Sequence, residues 1–182
     1  MAQAQKIKFS YEDYLLMPED KRYELIDGDL LMTPSPSWKH QTAISRLFEK
    51  INKFVRSKKM GEVRFAPLDV FLSPEDVVQP DLLFLSKDRL KQVTERNIQG
   101  APDLVVEVLS PGTEQRDRLV KRKLYSRFGV KEYWIVDPER KNIEVITWEG
   151  SDFKTFQVFP ENALFKSPLM EGLSFHIKEI FE

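Results

Sequence analysis

Three periodicities divide the chain. RYELIDGDLLMT alternates apolar and polar positions around an Asp-Gly pair, which predicts a β-hairpin turning at Asp27-Gly28, with Glu24 in its first strand. From about Lys39 the apolar positions Ile44, Leu47, Phe48, Ile51, Phe54 and Val55 follow helical spacing and predict a long amphipathic helix closed near Gly61. His40 lies on its inward stripe, four residues before Ile44, while Arg46, Lys50 and Lys53 lie on the outer face. Two strand-like runs follow, EVRFAPLDVFL and VVQPDLLFL, joined by the polar turn SPED and expected to pair antiparallel. In the second, Asp81 shares a row with Leu83 and Leu85, next to Pro80, which cannot donate to a ladder. Ahead of all these, Ser10 is placed to cap a short helix over YEDYLLM, with Asp13 in its first turn.

The densest apolar stretch, Leu104 to Ser110, is aliphatic on both faces, as a strand covered on two sides should be. Glu107 interrupts it, in one row with Val105 and Leu109. A lone carboxylate in such a layer is costly unless protonated, paired or bound to a metal. The helix TEQRDRLVKRKLYSRFG follows; at ~100° per residue, Val120, Leu124, Tyr125 and Phe128 form an inward arc that also contains Asp117 and Lys121. Arg116, Arg118, Arg122, Lys123 and Arg127 fall outside it. The next strand, EYWIVD, is expected parallel to the first, because the crossover is long enough for a helix. NIEVITWE pairs back through PERK, and FKTFQVF and LSFHIKEIF supply a further strand and a closing segment.

Composition narrows the chemistry. The 182 residues, 41% hydrophobic, suit one domain over 1–182. With 28 basic and 29 acidic residues, no global field draws the chain to nucleic acid or membranes. No cysteine is present, and the histidines are His40 and His176, so thiolate chemistry is excluded and a histidine-rich zinc site disfavoured. The opening MAQAQKIKFS has no apolar signal region, and nowhere do ~18 apolar residues run together, so the expected location is cytoplasmic, without a membrane span.

Asp81 and Glu107 come from neighbouring strands, and two carboxylates in an apolar site cannot both ionise unless a cation joins them. Oxygen ligands without His or Cys select a hard ion such as Mg²⁺ or Mn²⁺. With a lysine nearby, these are the parts of a metal-assisted phosphodiester hydrolase. A metal-free alternative stays open, in which both acids simply pair with Lys121.

Pro80-Asp81 followed by Glu107-Val108-Leu109 resembles the PD-(D/E)XK restriction-endonuclease-like superfamily. YELIDG, the SP segment before His40-Gln41, VVEVLSP, Lys121 four residues before Tyr125, and GVKEYWIVDP together resemble the Uma-type endonucleases within it. The resemblance covers nearly the whole chain. It implies an α/β restriction-endonuclease-like fold, a mixed central sheet flanked by helices with an αβββαβ core and added hairpins. It also implies catalytic Asp81, Glu107 and Lys121, with Asp81 and Glu107 as the metal ligands. Leu109 stands where the superfamily carries its lysine, and Lys121 from the following helix is the replacement. Glu24 and His40 are expected in the same cleft, with Asp117 and Tyr125 beside them.

The implied activity is Mg²⁺-dependent hydrolysis of DNA by a homodimer, since cutting both strands favours two sites. Arg46, Lys50, Lys53, Arg118 and Arg122 are the expected DNA contacts. Two rival functions remain: a catalytically silent DNA-binding or protein-interaction domain on the same fold, and a hydrolase of another phosphodiester such as RNA.

Overall fold

The structure, a computed structural model, describes residues 7–18 and 20–182. The opening residues 1–6, part of the stretch searched for a signal region, and Glu19 lie outside the described residues. Helix α1 (Tyr11–Tyr14) starts at the expected cap: Ser10 Oγ accepts from Asp13 N, and the Asp13 carboxylate accepts from Ser10 N at 2.8 Å. Strands β1 (Arg22–Ile26) and β2 (Asp29–Thr33) form the hairpin, with both turn residues at positive φ, Asp27 at 49° and Gly28 at 72°. That is the twist a two-residue hairpin loop requires. Helix α2 (Trp38–Lys58) buries His40, Ala43, Ile44, Leu47, Ile51 and Val55. Its left-handed C-cap is Lys59 rather than Gly61. Gly61 instead opens the next strand, where a Cβ would run into the Leu85 carbonyl.

The two strand-like runs each break at a proline and contribute to two sheets rather than one. The first divides into β3 (Gly61–Phe65) and β4 (Val70–Ser73) around Pro67, the second into β5 (Asp76–Val78) and β6 (Leu82–Ser86) around Pro80. β3 pairs with β6 and β4 with β5, both antiparallel, so the expected sense is right but the hairpin switches sheets halfway. A 3₁₀ turn (Lys87–Gln92) and the short β7 (Ile98–Gln99) lead to β8 (Leu104–Val108). A π-helical stretch (Arg116–Lys121) runs into α3 (Arg122–Arg127), then β9 (Glu132–Asp137), parallel to β8. β10 (Asn142–Trp148), β11 (Phe153–Phe159), β12 (Leu164–Lys166), β13 (Ser174–His176) and α4 (Lys178–Phe181) complete the chain.

Among the described residues the principal sheet has six strands in the order β11-β10-β9-β8-β6-β3, and a second has five, β2-β1-β5-β4-β7. Along α2-β3-β6-β8-α3-β9 the chain follows the expected αβββαβ core, with β4, β5 and β7 inserted. The even-numbered side chains of β8, Leu104, Val106 and Val108, pack under α2 with Leu47 and Ile51. Odd-numbered Val105, and Leu109 just past the strand's end, face the other layer, with Leu124, Tyr125 and Tyr133. Glu107 belongs by parity to that second layer, between the principal sheet and the helix returning across it. Arg127 clamps this helix to the second sheet, with Nη1 2.7 Å from Asp27 and Nη2 2.8 Å from Asp76. No helix among the described residues is long and apolar enough to cross a membrane.

Candidate active site

The break at Gln79-Pro80-Asp81 creates the site. β6 pairs with β8 from Leu82 opposite Val106 onward, so β8 outruns its neighbour by two residues. The Val108 amide beyond that pairing donates to Asp81 Oδ2 at 2.8 Å. On the other side of the break, the Gln79 amide donates to Glu24 Oε1 at 3.0 Å. Each carboxylate thus satisfies a backbone donor that the proline leaves without a strand partner. Asp81 is thereby held one residue from Glu107, at the place where the two sheets part.

Lys121 enters from the π-helical stretch, buried, and its Nζ lies 2.8 Å from Glu24 Oε1, 2.9 Å from Glu107 Oε1 and 3.6 Å from Asp117 Oδ1. The Tyr125 hydroxyl, one turn further, donates to the same Glu107 oxygen at 2.6 Å. Glu107 Oε2 is used by neither. His40 Nε2 is 3.1 Å from Asp81 Oδ2, and Arg116 Nη1 is 4.0 Å from Glu24 Oε2. Glu24, His40, Asp81, Glu107, Asp117 and Lys121 line one cavity of about 40 Å³, joined by Arg22 and Arg116. That holds about three waters, or an ion with part of its hydration shell. Tyr125 stands behind it, supporting Glu107.

The helical wheel errs at two positions. Val120, placed inward, is 41% exposed, and Arg116, placed outward, has a side chain only 15% exposed beside Glu24. The cause is the π-helical winding over Arg116–Lys121, in which each residue turns by less than the ~100° of an α-helix and the face drifts. Asp117 and Lys121 stay inward, and the Tyr133 hydroxyl donates to the Asp117 carbonyl within this stretch at 3.1 Å. The one signal that could have found Arg116 is a surplus of buried acid calling for a second cation.

That surplus is the site's main electrostatic feature. Four carboxylates, Glu24, Asp81, Glu107 and Asp117, face three permanent cations, Lys121, Arg116 and Arg22, the last at the cavity's edge with its guanidinium on the Pro34 carbonyl. Burial pushes the Glu107 carboxyl up to about 8; the Lys121 ammonium pulls it back, and Asp81, Asp117 and Glu24 add to the rise. Burial also raises Asp117, against the pull of Lys121. Burial works against the Lys121 ammonium too, but Glu107, Glu24 and Asp117 hold its pKa well above that of an ordinary lysine. Lys121 is therefore the fixed cation, and Glu107 is the acid that takes up a proton near neutrality when nothing else offsets the excess. Glu24 Oε2, Asp117 Oδ1 and His40 Nδ1 are buried without a hydrogen-bond partner. Among the described residues, no three His, Cys, Asp or Glu side chains converge into a ready-made metal cage.

The family model named Uma2, described as "Putative restriction endonuclease", matches residues 11–178. The chain belongs to the Uma2 family. The Uma2 chain is also similar in fold to a crystallised protein from Anabaena variabilis described as a putative nuclease belonging to DUF820, with a TM-score of 0.80. That match covers 95% of this chain and 97% of the other at 23% identity, so the two share one mixed α/β fold. No curated protein matches the chain significantly.

Of the basic positions expected to contact DNA, Lys50, Arg118 and Arg122 are engaged with the protein's own acids. In this Uma2 chain Arg46 donates to the Glu179 carbonyl at 3.2 Å, and Lys50 pairs with the Glu179 carboxylate at 2.6 Å. Arg118 contacts Glu114, Asp137 and Glu144, and Arg122 lies 3.7 Å from Glu144. Lys53 is exposed on the outer face of α2.

Proposed function

We propose that this Uma2 chain is a divalent-metal-dependent endodeoxyribonuclease whose centre is Asp81, Glu107 and Lys121. The observation that carries the reading is the surplus of buried carboxylate over cation around a cavity large enough for an ion with part of its hydration shell. The donors fit a hard cation: they are oxygens, and Glu107 Oε2 is used by neither Lys121 nor Tyr125. Asp81 and Glu107 would hold Mg²⁺ or Mn²⁺, with the Val108 carbonyl as a further ligand. When bound, the ion supplies Lewis acidity toward a phosphoryl oxygen.

The chain's own residues do the rest. Lys121 presents a cation that cannot lose its proton near neutrality and that offsets negative charge developing on the phosphoryl group. Tyr125 fixes one oxygen of Glu107 and so orients the other. His40 braces Asp81, and Arg116 offsets Glu24, keeping Lys121 from being neutralised by that acid alone. Cutting both strands of a duplex favours two such centres, which a homodimer supplies. Arg46, Lys50, Lys53, Arg118 and Arg122 are then phosphate contacts that exchange internal acid partners for DNA, so that binding falls steeply with salt.

A second reading, a silent binding domain on the same fold, draws on one observation: Lys121 already pairs directly with both Glu24 and Glu107. Incubating supercoiled plasmid, linear duplex and RNA with the protein in Mg²⁺, Mn²⁺ or EDTA separates the readings. Metal-dependent nicking of the plasmid is expected. Intact DNA in both metals leaves the silent domain, and cleavage confined to RNA moves the substrate to RNA.

A further inference from the structure

Trp38, the first residue of α2, is 88% exposed. An indole held in water at the start of a rigid helix is a ready platform for a flat partner. Two residues on, His40 of the same helix reaches Asp81 at 3.1 Å. The surface between the two is a sequence of clefts with shared walls. Ser110 borders both the 40 Å³ carboxylate cavity and a neighbouring cleft of about 230 Å³. Lys39, Pro138 and Glu139 border both that cleft and a third of about 480 Å³, which Trp38 lines.

The charges along this track alternate. Lys39, Arg140, Arg46 and Lys141 are interspersed with Glu114, Asp137, Glu139 and Glu182. It is no uniformly basic trough of the kind that grips a duplex by its phosphates, so a strand lying here has to be held by stacking as well as charge. Lys39 is free to serve a phosphate: its partner Glu139 is 3.0 Å away, but the two side chains are 66% and 70% exposed, and such a pair is weak in water.

We propose that Trp38 stacks an unpaired base flanking the scissile phosphate, so that the substrate carries a single-stranded flank, an overhang, flap or frayed end, in preference to blunt duplex. This rests on the nuclease reading above. Trp38 is a positioning residue and contacts none of the reacting atoms.

The test uses the full chain, a blunt DNA duplex and the same duplex with a single-stranded tail. Binding is measured by fluorescence anisotropy in EDTA and cleavage in Mg²⁺, for wild type, Trp38→Ala and Trp38→Phe. Loss of one stacked base should weaken binding of the tailed duplex by roughly 10-fold in Trp38→Ala. The cleavage KM should rise alongside, while blunt-duplex affinity stays unchanged and Trp38→Phe recovers most of the loss. Unchanged tailed-duplex binding in Trp38→Ala, or an equal loss on both duplexes, overturns the stacking role while metal-dependent cleavage leaves the nuclease reading intact. If wild type neither binds nor cuts either duplex, both fall.

Discussion

Replacing Lys121 by methionine keeps the buried stem and deletes the charge, which isolates what the ammonium does. In the native protein Nζ lies within 3.0 Å of two carboxylates and 3.6 Å of a third, and Glu24, Glu107 and Asp117 are exposed by 1%, 3% and 2%. Without it, the remaining permanent cations lining the cavity are Arg116, 4.0 Å from Glu24, and Arg22. Removing one partner of a buried ion pair costs ~3–5 kcal/mol, because the other charge is left uncompensated. For a domain of this size that corresponds to a fall of roughly 6–20 °C in melting temperature.

The cost depends on pH in a direction the site fixes. Glu107 already titrates near 8 with Lys121 pulling it down, so losing Lys121 raises it further. An acid whose folded pKa is raised stabilises the fold fully below its unfolded value of 4.5 and loses that contribution as pH climbs through the folded value. The Lys121→Met deficit should therefore be smaller at about pH 6, where Glu107 is protonated in both proteins, than at about pH 9.5, where only the variant keeps it protonated. Thermal melts in EDTA at both pH values read this directly, with exposed Lys123→Met as a control expected within ~0.5 kcal/mol of wild type. A deficit under ~1 kcal/mol at about pH 9.5, or one equal at the two pH values, would refute the claim that Lys121 offsets a cluster of buried carboxylates.

Two further perturbations probe the surroundings. Tyr125→Phe removes the 2.6 Å bond to Glu107, which is mostly protonated at pH 7, and should cost ~0.5–1.5 kcal/mol in urea unfolding there; a loss below ~0.3 kcal/mol would mean the hydroxyl contributes nothing. Glu132 is buried on neutral donors alone, Trp134 Nε1 and Ser167 Oγ at 2.6 Å and Leu169 N at 2.8 Å, and burial raises its pKa above 4.5. Its stabilisation is thus present in acid and declines as pH rises above that value, so wild type should lose stability relative to Glu132→Gln between pH 4.5 and 8, and parallel urea curves at both ends would contradict this.

What could be read from the chain follows its physics. Glu107 and Lys121 were visible because each breaks an apolar pattern, one of period two and one near 3.6, and both anomalies lie on the same layer of the fold. The αβββαβ order was legible because β8, the crossover helix and β9 are strongly patterned. The sheet switch at Pro67 and Pro80 was not, since continuous β-propensity says nothing about which neighbour a strand finds after a break. Arg116 and Val120 were misplaced because π-helical winding leaves no mark in hydrophobic spacing. The engagement of Arg46 and Lys50 by Glu179 and of Arg118 by Asp137 and Glu144 depends on contacts distant in sequence, which no local reading supplies; only the Arg118 pair with Glu114, one helical turn away, was open to one.

The central claim is that the acid surplus around Asp81 and Glu107 exists to hold a divalent cation. A Mn²⁺ soak of crystals at pH 8, with data collected for anomalous scattering, tests it most directly. One peak is expected within ~2.0–2.6 Å of an oxygen from each of Asp81 and Glu107, absent from Asp81→Asn and Glu107→Gln crystals. No anomalous density there at saturating Mn²⁺, with Glu107 still bonded to Lys121 and Tyr125 as in the free protein, would contradict the account.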